Sequence, residues 1–196
     1  LWSRVDESES PPTSQMVALA GKLPHATARA TIVSHWDDEP GLRDAIVNVL
    51  ADHPVPDDRA QFVAALASAQ PNVVREAAEA LIALGINCRT SEMAAALRAL
   101  KQSCATAKPV EPRRTLVRLL NFWTEENSGV ERSSDPTQTW VAWYRLFDDY
   151  YPAAAAQLKR ASGTDAAGWK RRLAGVAWDN GDAERGRAVF QERSCH

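Results

Sequence analysis

The chain has no long apolar run. Its uninterrupted stretches, Ala80-Leu81-Ile82-Ala83-Leu84 among them, fall far short of the ~20 residues a membrane-spanning helix needs. No membrane span is expected. Glycine is sparse, nine in 196 residues. No Gly-rich phosphate loop and no nucleophile elbow can be found. Charge of one sign is missing too: 23 Lys+Arg stand against 25 Asp+Glu, a net −2. A dedicated nucleic-acid binder carries a basic footprint, so that class is excluded as an expectation. Hairpin turns and sustained strand alternation are also lacking. Only three cysteines occur, Cys88, Cys104 and Cys195. The first two read as small buried hydrophobes rather than a disulfide, although pairing is not legible from sequence.

What remains is alanine, leucine and charged residues in helical order, which favours an all-α fold. Residues 1–24 read as a polar linker containing Ser10-Pro11-Pro12, then a leading helix from about Ser14. Met16, Val17, Leu19, Ala20 and Leu23 give that helix an apolar side, and Pro24 is expected to end it.

A repeat fills residues 25–130. Arg29-Ala30-Thr31-Ile32-Val33 recurs 30 residues on as Arg59-Ala60-Gln61-Phe62-Val63. Each is followed by a proline and a second helix, Pro40-Gly41-Leu42-Arg43-Asp44-Ala45 and Pro71-Asn72-Val73-Val74-Arg75-Glu76-Ala77. A third copy begins at Ser91-Glu92-Met93. In it Leu97 and Leu100 answer Val63 and Leu66 at an offset of 34, and its second helix follows Pro112. A period of about 30–40 residues with two helices per unit marks an α-solenoid. One helix pair cannot bury both its apolar stripes, so it packs on the next.

The stretch Asn72 to Leu84 resembles the second helix of a HEAT repeat: Val-Arg, then Ala at small-residue spacing, then Leu. The resemblance covers roughly residues 25 to 126. It implies a HEAT-like α-solenoid of helical hairpins with a protein partner on its surface. It also implies that Arg75, at a helix start, ties adjacent units to an acidic residue.

Residues 131–180 differ in composition. Trp140, Trp143, Tyr144, Phe147, Tyr150 and Tyr151 share one helical face, stopped by Pro152. A further helix is expected from Asp165, with Trp169, Leu173, Val176 and Ala177 on one side. The aromatic stripe is expected to pack on the end of the repeats rather than to form a ligand site.

Residues 181–196 run Gly181-Asp182, then Gly186 and Phe190, then Cys195-His196. This resembles the opening helix of a c-type cytochrome domain, stopping as the haem motif begins. Position 192 is Glu, so Cys195 reads as the first motif cysteine and not the second. The resemblance implies that Cys195 forms one haem thioether in a longer parent, with the second cysteine and the axial histidine beyond His196. On this reading the chain is a fragment with haem c expected in the parent and no cofactor in the fragment itself. The order Trp140 to Asp182 is also similar to the segment between HEAT-like repeats and a terminal haem domain in large secreted planctomycete-type proteins. A dehydrogenase domain often lies upstream in that family. The implied setting is periplasmic or secreted, with a redox partner and electron transfer. The rival is a HEAT adaptor with no redox role.

No catalytic residue is expected in the fragment. His25, His35 and His53 are isolated and no metal site is expected. Asp37-Asp38-Glu39 and Asp57-Asp58 read as solvated turn and capping residues. Asp148-Asp149, Arg113-Arg114 and Lys170-Arg171-Arg172 read as exposed charge.

Overall fold

In the computed structural model of the protein, the residues described are 13–22, 25–37, 40–105, 110–125 and 135–161, with Ala174, Asp182 and Glu184. All regular structure among them is helical, so the all-α class holds. The helices are α1 (Ser14–Ala20), α2 (His25–Ser34), α3 (Arg43–Ala51), α4 (Arg59–Ala65), α5 (Pro71–Ala83), α6 (Thr90–Cys104), α7 (Glu111–Thr124), α8 (Pro136–Tyr150) and α9 (Pro152–Ala161). Short 3-10 turns at Pro40–Leu42 and Pro56–Asp58 lead into α3 and α4. The chain divides into two compact units, 1–160 and 161–196. Only the first is described as a whole.

Proline starts several of these helices. Pro71 and Pro136 open α5 and α8, and Pro112 lies in the first turn of α7. A missing N–H costs nothing there, because first-turn N–H groups have no partner within the helix. Side chains cap the rest. Thr13 Oγ1 accepts from the Met16 N–H, and Asp135 accepts from the Thr137 N–H at 2.8 Å. Helix α1 stops at Ala20, before the expected Pro24, where the chain turns at Gly21. A Cβ on Gly21 would meet Val49 Cγ1 of α3 at 2.7 Å, so the two helices approach too closely for any larger residue.

The helices pack in two files. In one, α1 lies on α3, α3 on α5 and α5 on α7. In the other, α4 lies on α6 and α6 on α8, while α3 and α4, α4 and α5, and α6 and α7 join the files. Side-chain pairs also link the first file. Asn48 of α3, with its amide turned to satisfy both atoms, donates to Glu76 of α5 at 2.8 Å. Arg118 of α7 lies 3.7 Å from Glu79 of α5. Both pairs lie near the middles of the helices that they join.

The core lies between the files. It is built from Ile46, Val47 and Leu50, then Phe62 and Leu66, then Val73, Ala77 and Leu81, and onward to Leu97, Leu100, Leu116 and Leu120. Alanine dominates the buried face of α5, with Ala77, Ala78 and Ala80 beside Leu81. Small side chains let its neighbours on three sides come close.

Candidate functional site

Two charged ties connect the copies. The Arg29 guanidinium pairs with the Asp58 carboxylate and donates to the His53 carbonyl. One copy later, Arg59 repeats this with Glu92: Nε donates to Oε1 at 3.1 Å and Nη2 to Oε2 at 2.9 Å. The same guanidinium donates to the Asn87 carbonyl. Both acids are buried, Asp58 at 3% and Glu92 at 8% exposure, so they are not the solvated residues the sequence suggested for Asp58. Burial alone would raise the Glu92 carboxyl. The Arg59 hydrogen bonds and the Arg89 backbone N–H outweigh it and hold the group below the usual carboxylate range.

These two arginines, not Arg75, join successive copies. Arg75 instead pairs within its own helix, to Glu76 and Glu79 at 3.1 Å each. The physical reason is position. Arg75 is on the α5 face toward Glu79 and the α3–α5 groove, whereas Arg29 and Arg59 stand beside the turn that enters the next helix.

The ties form a series with two ends. The first copy has Ala28-Arg29, the second Asp58-Arg59, the third Glu92-Met93. So the first copy gives an arginine only, the second both partners, the third an acid only. Met93 takes the place of a third arginine, and there the packing changes. Lys101, late on α6, lies 5.5 Å from the ring centroid of Trp140, early on α8. Met93, early on α6, shares an apolar pocket with Phe147 and Tyr150, late on α8. Helix α8 therefore runs antiparallel to α6, whereas α4 and α6, joined at their starts by Arg59 and Glu92, run parallel.

The aromatic stripe divides at this reversal. Trp143 is 1% exposed and Phe147 is buried, as expected for packing, and Trp140 is half-buried. Tyr144 Oη donates to the Ala155 carbonyl at 3.2 Å and holds α9 to α8. The far end stays open, with Tyr150 65% and Tyr151 44% exposed. Those two rings border a cleft of about 400 Å³ with the 86–90 segment and Trp123 at the end of α7. Gly85, at φ +102°, turns the chain into that segment. The Arg59 guanidinium lies 5.8 Å from the Trp123 ring centroid, so the last tie also braces the cleft wall.

Other sequence candidates sort as follows. Cys195, Gly186, Phe190 and the 165–173 segment, including Lys170-Arg171-Arg172, lie outside the described residues. Asp182 accepts from the Glu184 N–H at 3.0 Å, as a helix-capping side chain does. Cys88 and Cys104 are free thiols at opposite ends of α6. Burial, then the Glu92 charge, pushes the Cys88 thiol up to about 12, which keeps it protonated at neutral pH. Burial also raises Cys104. Asp57, Asp148 and Asp149 are exposed, Asp37 lies 3.8 Å from Arg43, and Arg114 pairs with Glu111 at 3.0 Å.

Among the described residues no group of three or more His, Cys, Asp or Glu could hold a metal, and no helix is long and apolar enough to cross a membrane. No protein-family model, curated protein or solved structure matches the chain.

Sequence reasoning missed the cleft. Its walls come from three separate segments, and the one available signal was a pair of tyrosines just before Pro152.

Proposed function

We propose that residues 25–125 are a HEAT-like α-solenoid scaffold, closed by the reversed helix α8, in a periplasmic or secreted protein that carries a c-type cytochrome domain opening at Gly181. The observation that supports the scaffold best is the pair of Arg–acid ties, Arg29 to Asp58 and Arg59 to Glu92. They set the same arginine of one copy against the entry of the next. A rigid, repeated two-file stack with polar outer residues suits protein binding better than catalysis. The haem reading rests on Gly181-Asp182, Gly186, Phe190 and Cys195-His196. Among the described cysteines, Cys88 precedes Arg89 and Cys104 precedes Ala105, so neither offers the Cys-His step of a haem motif. Cys195 would supply one thioether. Haem c, once attached, would supply a one-electron centre for a redox partner.

The test is covalent haem. The resemblance calls for Cys and His three and four positions past Cys195 in the longer reading frame. That parent, made in a periplasm able to attach haem c, should give a haem-stained band on a denaturing gel. Cys195→Ala should abolish or weaken the band. A parent with no covalent haem leaves the second reading, a protein-binding adaptor with no redox role, which the exposed Ile86, Tyr150 and Tyr151 favour.

A further inference from the structure

We propose that the cleft between the entry of α6 and the ends of α7 and α8 binds a proline-rich segment of a partner protein, one that carries an acidic residue beside its prolines. This deepens the scaffold reading above and rests on it.

Three observations lead there. First, exposed apolar side chains converge. Ile86, Tyr150 and Tyr151, exposed at 40%, 65% and 44%, all line this one cleft. The two tyrosine rings stand 6.5 Å apart at 46° and form an open notch. Aromatic notches of this kind seat the rings of an extended polyproline helix, which reaches the site already ordered.

Second, two buried donors in these walls lack a partner. The indole N–H groups of Trp123 and Trp143 are buried and find no acceptor among the described residues. Trp123 is in the wall of the cleft, and Trp143 in that of the small apolar pocket beside it. Arg89 and Thr90 add donors, and the lining contains no carboxylate. A proline run suits such walls. It has no N–H to satisfy, and each of its residues offers a carbonyl acceptor.

Third, charge is unbalanced at one point. Arg89 is the single charged residue of the lining. Glu92 attracts it, but Arg59 hydrogen-bonds both Glu92 oxygens, so one carboxylate is shared between two guanidinium groups. An acidic residue next to the prolines meets that guanidinium. The walls are also held in advance, since Arg59 fixes both the Asn87 carbonyl and the Trp123 ring. Little ordering is left to oppose binding.

The experiment is fluorescence anisotropy on the whole chain with three fluorescein-labelled peptides: hexaproline ending in glutamates, hexaproline ending in lysines, and hexaalanine ending in glutamates. The proline–glutamate peptide should saturate, with the other two at least about tenfold weaker. Tyr151→Ala and Tyr150→Ala should each weaken it about fivefold or more. Arg89→Gln should equalise the glutamate and lysine peptides, and Arg98→Gln, exposed elsewhere on α6, should change nothing. Circular dichroism melts confirm that each variant is folded. No saturation by about 1 mM overturns the site. Equal binding of the lysine peptide overturns the acidic flank, and equal binding of the alanine peptide overturns the proline preference. Haem staining of the parent involves no peptide, so failure here and failure of the haem reading are told apart.

Discussion

At the residue scale, Glu92 is the most consequential side chain of the stack. It accepts from Arg59 and caps the start of α6 through the Arg89 N–H at 3.1 Å. Glu92→Gln keeps the shape and removes the charge. It should cost about 3 kcal/mol, the low end for breaking a buried pair, since Arg59 keeps the Asn87 carbonyl. Urea unfolding at neutral pH measures it. The pH dependence has a definite sign. A carboxyl held low in the folded state stabilises above its unfolded value, and that contribution is lost as pH falls below the usual carboxylate range through the folded value. Glu76 acts oppositely: burial first, then Asp52 and Glu79, raise it against Arg75, so protonating it on mild acidification relieves a cost. The wild type should hold or gain slightly on mild acidification and then fall, and Glu92→Gln should flatten the fall. Gly85 gives a second residue-scale test. At φ +102° a side chain is strained, so Gly85→Ala should destabilise by about 1–2 kcal/mol. Gly41 has nothing within 4 Å of a built Cβ and no positive φ, so Gly41→Ala should be neutral or stabilise by up to about 1 kcal/mol. Melting temperatures of the two variants should move in opposite directions or by clearly unequal amounts. Arg29 and Arg59 were visible as a repeat, yet their partners were not. The acids follow at separations of 29 and 33 residues, set by turn lengths that periodicity does not encode.

At the scale of elements, α5 shows what could be read in advance. Val73, Ala77 and Leu81 recur at helical spacing, and all three are buried. Leu81→Ala should cost about 2–5 kcal/mol by opening a cavity in a close-packed site. Glu79→Ala removes half-exposed pairs to Arg75 and Arg118 and should cost under about 1 kcal/mol. Denaturation midpoints compare them, and equal midpoints would mean that the buried face is misassigned. Helix α8 shows the limit of such reading. Its stripe foretold that Trp143 and Phe147 pack, but a stripe carries no direction. Met93 in the place of an arginine is what removes the charged tie and admits an antiparallel aromatic helix. The cleft follows from that reversal, because the last turn of α8 carries Tyr150 and Tyr151 past the apolar face of α6.

At the scale of the whole described unit, stability should be graded along the stack. Each helix touches near neighbours only, so its protection depends on how many sides are covered. Helix α5 is covered by α3, α4 and α7, and α7 by α5 and α6. Both bury leucine, and both are next to the Arg59–Glu92 tie through their partner helices. Helix α1 rests chiefly on α3 and is seven residues long, with Leu19 exposed. Helix α9 is held by Ala155, Leu158 and the Tyr144 hydroxyl. Backbone hydrogen exchange should therefore be slowest in α5 and α7, intermediate in α3 and α6, and fastest in α1 and α9. The ties extend the argument. Arg59→Met should raise exchange in α6 and in the 86–90 segment more than in α3, because that arginine grips the entry of the later copy. Arg29→Met should instead loosen the 53–58 turn and α4. Measured by mass spectrometry, a uniform rise across all helices in either variant would show one undivided cooperative unit. The charged ties would then be local decoration and not the joints between copies.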